Sequence, residues 1–435
     1  MEKWEDKIKK EVNKLPPKII TTHIEDTLQR LPRNRRLSKL SLSVAAILVA
    51  FTTSLGMSYI SPTAADTFRS IPIVGSVFET VGNIGLKKGS EQGLTIELGQ
   101  QIEFDRHRVT FTESLYDGSE IHIGYIIESL DPTNPKPNQN LLRDIRFGID
   151  GQYIDGGWGA RGLELDNGNY AETLSLRPID EIPDNFILEI SPWEGRSWKV
   201  NIPVERQGDS DSFLVNITKE TKDIILHYDM ITFFPTATEI AFRTVEDTSR
   251  IENIDNSQFI QYLVVDDQGR VLQPFGGGGG GIQRGDKVIQ SLKYTFEPLD
   301  TIPNSLTVKP YLESREEAIQ VQKKKWSGEV ISLSQGGIGD MTVLSVEEND
   351  GVTTISYIID GEDAYSQSSS FRLEDSNGNH YYTDDMPPAR VEGTINQYKA
   401  TFLKAPPLDD LFIAVFQNDI PNFIEELEIK IDLQK

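Results

Sequence analysis

A single uncharged run, Leu40 to Ile60 (LSLSVAAILVAFTTSLGMSYI), constrains this chain more than any other stretch, with Lys39 and Asp66 the nearest charges on either side. At about 1.5 Å of rise per helical residue these residues reach roughly the ~30 Å thickness of a hydrocarbon core. Serine and threonine hydroxyls within the run bond back to a carbonyl one turn earlier and do not forbid a span. The run reads as one transmembrane helix, with the lipid bilayer as its partner. Arg30, Arg33, Arg35, Arg36 and Lys39 crowd its N-terminal flank, whereas the other side offers only Asp66 and Arg69 nearby. The positive-inside rule then puts residues 1–39 in the cytoplasm and 61–435 outside the cell membrane. Two rival readings exist. A cleaved signal peptide has a short basic leader and an apolar region of about 7 to 15 residues; here the leader is too long and the apolar run too complete, although Thr63 and Ala65 mimic a cleavage site. A buried globular helix is the other.

Charge divides along the same line. The chain of 435 residues carries a net charge of −24, yet residues 1–39 hold eleven Lys+Arg against six Asp+Glu. The inside is basic and the outside strongly acidic, which opposes nucleic-acid binding and favours solubility or cationic partners. The length suffices for several domains. Cysteine is absent, which excludes disulfide frameworks and thiolate metal sites.

The cytoplasmic segment, 1–39, divides at Leu15-Pro16-Pro17 into two short amphipathic helices. Trp4, Ile8, Val12 and Leu15 recur at helical spacing in the first, and Ile20, Ile24, Leu28 and Leu31 in the second. Thr22 and Glu25 fit a capping box, and Leu31-Pro32 ends the second helix. Two helices of this length bury no core between them, so their apolar stripes need a cover. The inner membrane face is one candidate. A partner protein suits the interspersed acids (Glu2, Glu5, Asp6, Glu11, Glu25, Asp26) better. Beyond the span, residues 61–89 read as a juxtamembrane helix and linker, with Val74, Val77, Phe78 and Val81 on one face, Gly82 and Gly85 closing it, and Lys87-Lys88-Gly89-Ser90 as the linker.

From Leu94 the pattern alternates, as half-buried strands do, and it repeats. Asp117-Gly118 leads into Ile121–Ile126, Pro235-Thr236-Ala237 into Glu239–Phe242, and Asp350-Gly351 into Thr354–Ile358. Tyr125, Phe242 and Tyr357 mark a domain-sized period. The fold class expected is mainly β: short cytoplasmic helices, one transmembrane helix, then tandem immunoglobulin-like β-sandwich domains at 90–207, 208–323 and 324–435, with boundaries near Gln207 and Lys323.

No catalytic constellation emerges, and no enzyme is expected. Gly276 to Gly281 contains GxGxxG trivially, lacks a following Gly-Lys-Ser/Thr and reads as a flexible hairpin tip. The five histidines have no ligand spacing. Asp375-Ser376-Asn377-Gly378-Asn379 lacks the twelfth-position Glu of a calcium loop, where Met386 stands, and reads as a hairpin turn. No serine sits in Gly-x-Ser-x-Gly, and pairs such as Asp384-Asp385 belong to an acidic surface. No cofactor or metal is expected.

Several motifs together resemble a known group. Leu15-Pro16-Pro17 through Thr27-Leu28-Gln29-Arg30-Leu31-Pro32, the single span, Ile71-Pro72-Ile73-Val74-Gly75-Ser76-Val77-Phe78, and Gly93-Leu94-Thr95-Ile96 through Leu115-Tyr116-Asp117-Gly118 to Gly124-Tyr125-Ile126-Ile127 are similar to Bacillus-type single-pass membrane proteins. Those proteins are described as anti-sigma-factor-like, carry an uncharacterised extracytoplasmic domain and are often encoded beside extracytoplasmic-function sigma factors. The resemblance implies a regulator whose partner-binding residues Trp4, Ile8, Val12, Leu15, Ile20, Ile24, Leu28 and Leu31 hold a sigma factor. A processing protease acting on the outer half of the span, at Thr52-Thr53-Ser54 and Gly56, would release it. The alternative is a cell-surface structural or adhesive protein with a membrane anchor.

Overall fold

The computed structural model describes residues 76–179, 181–193, 198–249, 260–312, 320–383 and 387–434. The expected cytoplasmic helices and the span at 40–60 lie outside the described residues, and no helix among those described is long and apolar enough to cross a membrane. What is described is mainly β, in several antiparallel sheets. It divides into two compact units: 76–81, 95–115 and 120–206 in the first, and 82–94, 116–119 and 207–434 in the second.

The first unit pairs two sheets. One runs in the order Ile96–Glu97, His107–Tyr116, Ile121–Ser129, Tyr170–Pro178, Gly156–Glu164, and the other Val200–Glu205, Asn185–Pro192, Ile145–Ile149, Gln152–Tyr153. Sequence alternation decides which face is inside: Val200, Ile202 and Val204 are buried while Asn201, Pro203 and Glu205 between them are exposed. Tyr125 lies on the inner face of Ile121–Ser129 and is fully buried, as are Phe242 and Tyr357 on the matching strands Thr238–Asp247 and Val352–Ile359.

The second unit holds two further sandwiches. In the second repeat a sheet of Asp211–Glu220, Ile224–Phe233, Thr238–Asp247, Lys287–Phe296 and Pro274–Arg284 faces one built on Ile260–Asp266 and Ser305–Leu312. In the third, Ile331–Ser334, Asp340–Asn349, Val352–Ile359, Gln397–Phe402 and Ala389–Arg390 face Gln320–Lys325, Phe412–Gln417, Phe371–Glu374 and His380–Tyr381.

These two sandwiches trade a strand. In the first repeat the chain turns back after Asn185–Pro192 and lays Val200–Glu205 beside it. The strand in the same sequence place after Ser305–Leu312 is Gln320–Lys325, but it pairs with Phe412–Gln417 of the third repeat. The place left open beside Ser305–Leu312 is filled by Ile429–Asp432, with Asn422–Phe423 on the same strand further along. Composition explains the trade: Ile429, Ile431 and Leu433 alternate with Lys430 and Asp432 and bury one apolar face in the second core, whereas Gln320–Lys325 offers only Val321, which is exposed. Lys323-Lys324-Lys325, expected at a domain boundary, therefore lies inside a strand, and residues 422–432 complete the second sandwich rather than the third.

Three local expectations are corrected. Lys87 to Ser90 are helical, within Ile84–Glu91, because Asn83 caps that helix by accepting from the Leu86 N–H and Lys88 pairs with Asp300 at 2.8 Å. Gly82 does follow the end of a first helix, Val77–Val81, but Gly85 begins the second rather than closing the first. The six glycines are not a hairpin tip either. They form the body of the edge strand Pro274–Arg284, and the turn falls at Gly285-Asp286. A Cβ at residue 277 would come within 2.4 Å of the Tyr294 ring, which lies across the strand and stacks on Phe242 at 5.5 Å. Gly277→Val is accordingly expected to cost about 1–3 kcal/mol by overpacking. Gly278→Val, whose Cβ meets nothing within 4 Å, stays within about 0.5 kcal/mol of the parent. Urea midpoints of the two variants check the difference; equal midpoints would remove Tyr294 as the reason for glycine.

Candidate functional site

In the first unit, a short helix is gripped by a buried carboxylate. Val77–Val81 buries Val77, Phe78 and Val81, and packs Val77 and Val81 against Ile126 and Ala171 on the outer face of the larger sheet. Phe78 is fully buried. Glu113, on the strand His107–Tyr116, reaches the start of this helix: its Oε1 accepts from the Phe78 N–H at 3.0 Å, and the Ser76 hydroxyl lies 2.8 and 2.7 Å from its two oxygens. Room for that carboxylate comes from Gly124 on the neighbouring strand, where a Cβ would stand 2.9 Å from Glu113 Cγ. Burial pushes the Glu113 carboxyl above the usual carboxylate range, against the pull of the Phe78 N–H, the Ser76 hydroxyl and the Val77 N–H. The arrangement is a lock on the chain at residues 76–78, not a reactive centre.

A second buried carboxylate stands in the same unit. Glu172 accepts from the Tyr125 hydroxyl at 2.5 Å and from Arg143 at 2.8 Å. Burial raises its pKa, opposed by the Tyr125 hydrogen bond and the Arg143 charge, and raises that of Tyr125 strongly. Burying these groups costs free energy unless they are paired, and here each is.

The second unit repeats the device with other residues. Asp117, fully buried, accepts from the Thr236 N–H (2.9 Å) and hydroxyl (2.6 Å) with one oxygen and from Ser119 with the other. Glu297 sits between Arg270 (3.0 Å) and Arg390 (2.9 Å), and Arg390 also donates to the Val271 carbonyl, joining the second and third sandwiches. Beside them is a half-open cleft of about 420 Å³, lined in part by Lys309, Asp360, Glu362 and Glu428. Lys309 pairs with Glu362, and Asp360 accepts from the Asp340 N–H, so these groups are engaged with the fold.

The residues expected to bind a partner (Trp4, Ile8, Val12, Leu15, Ile20, Ile24, Leu28 and Leu31) lie outside the described residues, as does Asp384-Asp385. His122 and His227 bond to the hydroxyls of Ser175 and Thr218, and among the described residues no group of three side chains is placed to hold a metal. Asp375 closes a turn by accepting from the N–H groups of Asn377 and Asn379. The Glu113 lock was not anticipated. Its one legible trace is Gly124, a glycine inside the strand Ile121–Ser129, which marks a close approach.

Two family models match the chain. Residues 33–129 match a domain of unknown function, DUF4179, and residues 210–333 match a family of unknown function, DUF5643. The first match runs through the expected span and ends with the strand that carries Gly124; the second covers the second repeat and enters the third. No curated protein matches the sequence. A crystal structure of a conserved domain protein from Bacillus anthracis is similar over 58% of this chain and 90% of that one, with 20% identity and a TM-score of 0.42.

Proposed function

We propose that this chain is a single-pass membrane regulator, anti-sigma-factor-like, which holds a sigma factor through its cytoplasmic helices and responds to envelope conditions through its outer β repeats. The observation that carries the reading is the Glu113 lock. Only residues 61–76 separate the expected span from a helix fixed to a folded β unit, so displacement of that unit would be passed to the span. DUF4179, a domain found in anti-sigma-factor-associated proteins, matches one stretch, 33–129, that includes both the residues of the expected span and the lock. The outer repeats are read as immunoglobulin-like, since hairpin-linked strands alternate between two facing sheets in the order such sandwiches use.

Co-purification of the full chain with a sigma factor tests the reading. Burying a large apolar side chain contributes about 1.5–3 kcal/mol, so Trp4→Ala with Leu28→Ala should weaken capture by at least a hundredfold. Undiminished capture would sink the assignment of the stripe. Release by a processing protease is read in the same cells, because an N-terminal tag should shift to a short fragment when target genes switch on.

The strand trade favours a second reading, a load-bearing surface protein, since two sandwiches joined by two crossing strands resist separation. Deleting residues 2–30 separates the two. A structural or adhesive protein keeps its surface behaviour, whereas a regulator loses control of its target genes.

A further inference from the structure

We propose that the glycine strand Pro274–Arg284 is a self-pairing edge through which two copies of this chain join sheet to sheet. Among the described residues this strand pairs on one side only, with Lys287–Phe296. Sheet edges present unpaired N–H and C=O groups, and proteins blunt them with charges, prolines or brevity. The other two repeats do so. The matching edge of the first, Gly156–Glu164, carries Trp158, Arg161 and Glu164, and that of the third, Ala389–Arg390, is two residues long. In the second repeat the edge is eleven residues long, and Gly276 to Gly281 form a continuous run without side chains. Packing demands glycine at 277 and 279, where a Cβ would strike Tyr294 and the Ser291 carbonyl, but not at 278.

A second copy suits this edge better than a foreign peptide. Strand addition draws its specificity from pockets for alternate side chains, and a glycine run offers none. A two-fold pairing asks only that the surface be complementary to itself. With the axis at Gly278, Gly276 to Gly280 of the two copies lie opposite one another, Gly281 faces Phe275, and half-exposed Ile282 faces Pro274 of the other copy. The two Arg284 side chains lie at opposite ends of the paired strands, about 40 Å apart at 3.4 Å per residue, so the nearest like charges are not opposed. An interface this small belongs to the transient class.

The chain has no cysteine, which makes cross-linking of the full-length protein in membranes a clean test. Residues opposed on paired antiparallel strands have Cα atoms about 4.5–5.5 Å apart, within disulfide range. Gly278→Cys should give a covalent dimer on mild oxidation, and Arg284→Cys should give at least tenfold less. Adding Ile282→Lys to Gly278→Cys should lower the dimer several-fold, and raising ionic strength should increase it, because two chains of net charge −24 repel one another less when screened. Equal cross-linking at 278 and 284 would indicate random collision. Absence of cross-linking at 278, or capture of a different protein there, would equally overturn the proposal.

Discussion

A chain ending at residue 420 is expected to lose the second sandwich while the first unit stays folded. The cut removes Leu427, Ile429, Ile431 and Leu433, all buried in the second core. At about 1.5–3 kcal/mol for each buried side chain, the loss is about 6–12 kcal/mol, the size of a whole domain's stability of about 5–15 kcal/mol. The buried Tyr228 hydroxyl also loses its acceptor, the Leu427 carbonyl at 2.8 Å, which costs about 1–3 kcal/mol more. Hydrogen exchange makes the measurement local. Amides of Ile224–Phe233 should lose protection in the shortened chain, and those of Ile121–Ser129 should keep it. Retained protection in both would show that the traded strand is dispensable.

The second large effect is expected at Phe78. Replacing a fully buried Phe by Ala costs about 3–5 kcal/mol, and here the cost falls on five helical residues held otherwise by Val77, Val81 and the Glu113 lock. Phe78→Ala should therefore free the helix before it unfolds the unit, seen as proteolysis near residue 80 at concentrations of protease that spare the parent. Glu113 adds a pH dependence. Its carboxyl is raised in the folded unit, so the protonated form is the one the fold favours. That contribution is full below the ordinary value of 4.5 and is lost as the pH rises through the raised value. Acidification from neutral pH should tighten the lock, and Glu113→Gln should flatten the trend, leaving the share that belongs to Glu172, which is raised in the same direction. An unchanged pH profile in Glu113→Gln would assign the whole effect elsewhere.

What was legible in the sequence was periodic. Strand alternation and the recurrence of Tyr125, Phe242 and Tyr357 are local patterns, and each of those residues is found buried on a matching strand. Pairing between distant strands leaves no such trace. Nothing in Gln320–Lys325 says that its neighbour is Phe412–Gln417, although its poverty in apolar residues does say that it cannot line a core. The glycine run misled because flexibility is the usual reading of glycine. Here the decisive fact is a ring, Tyr294, that arrives from the next strand. Glu113 was invisible for a related reason: its partners, Ser76 and Phe78, lie 37 and 35 residues away.

The strand trade also orders events in time. Synthesis delivers a chain from its N-terminus, and domains fold as units as they emerge. The first unit is built from residues up to 206, so its strands are all made while the rest is still being synthesised. Those of the second sandwich are not, for its edge waits on residues 429–433, and the third, needing Gln320–Lys325 from the strand before it, is assembled around a piece delivered early. Until residue 433 appears, the edge of Ser305–Leu312 stays open to any extended chain nearby. Completion of the second sandwich thus reports that translation has passed the strands of the third.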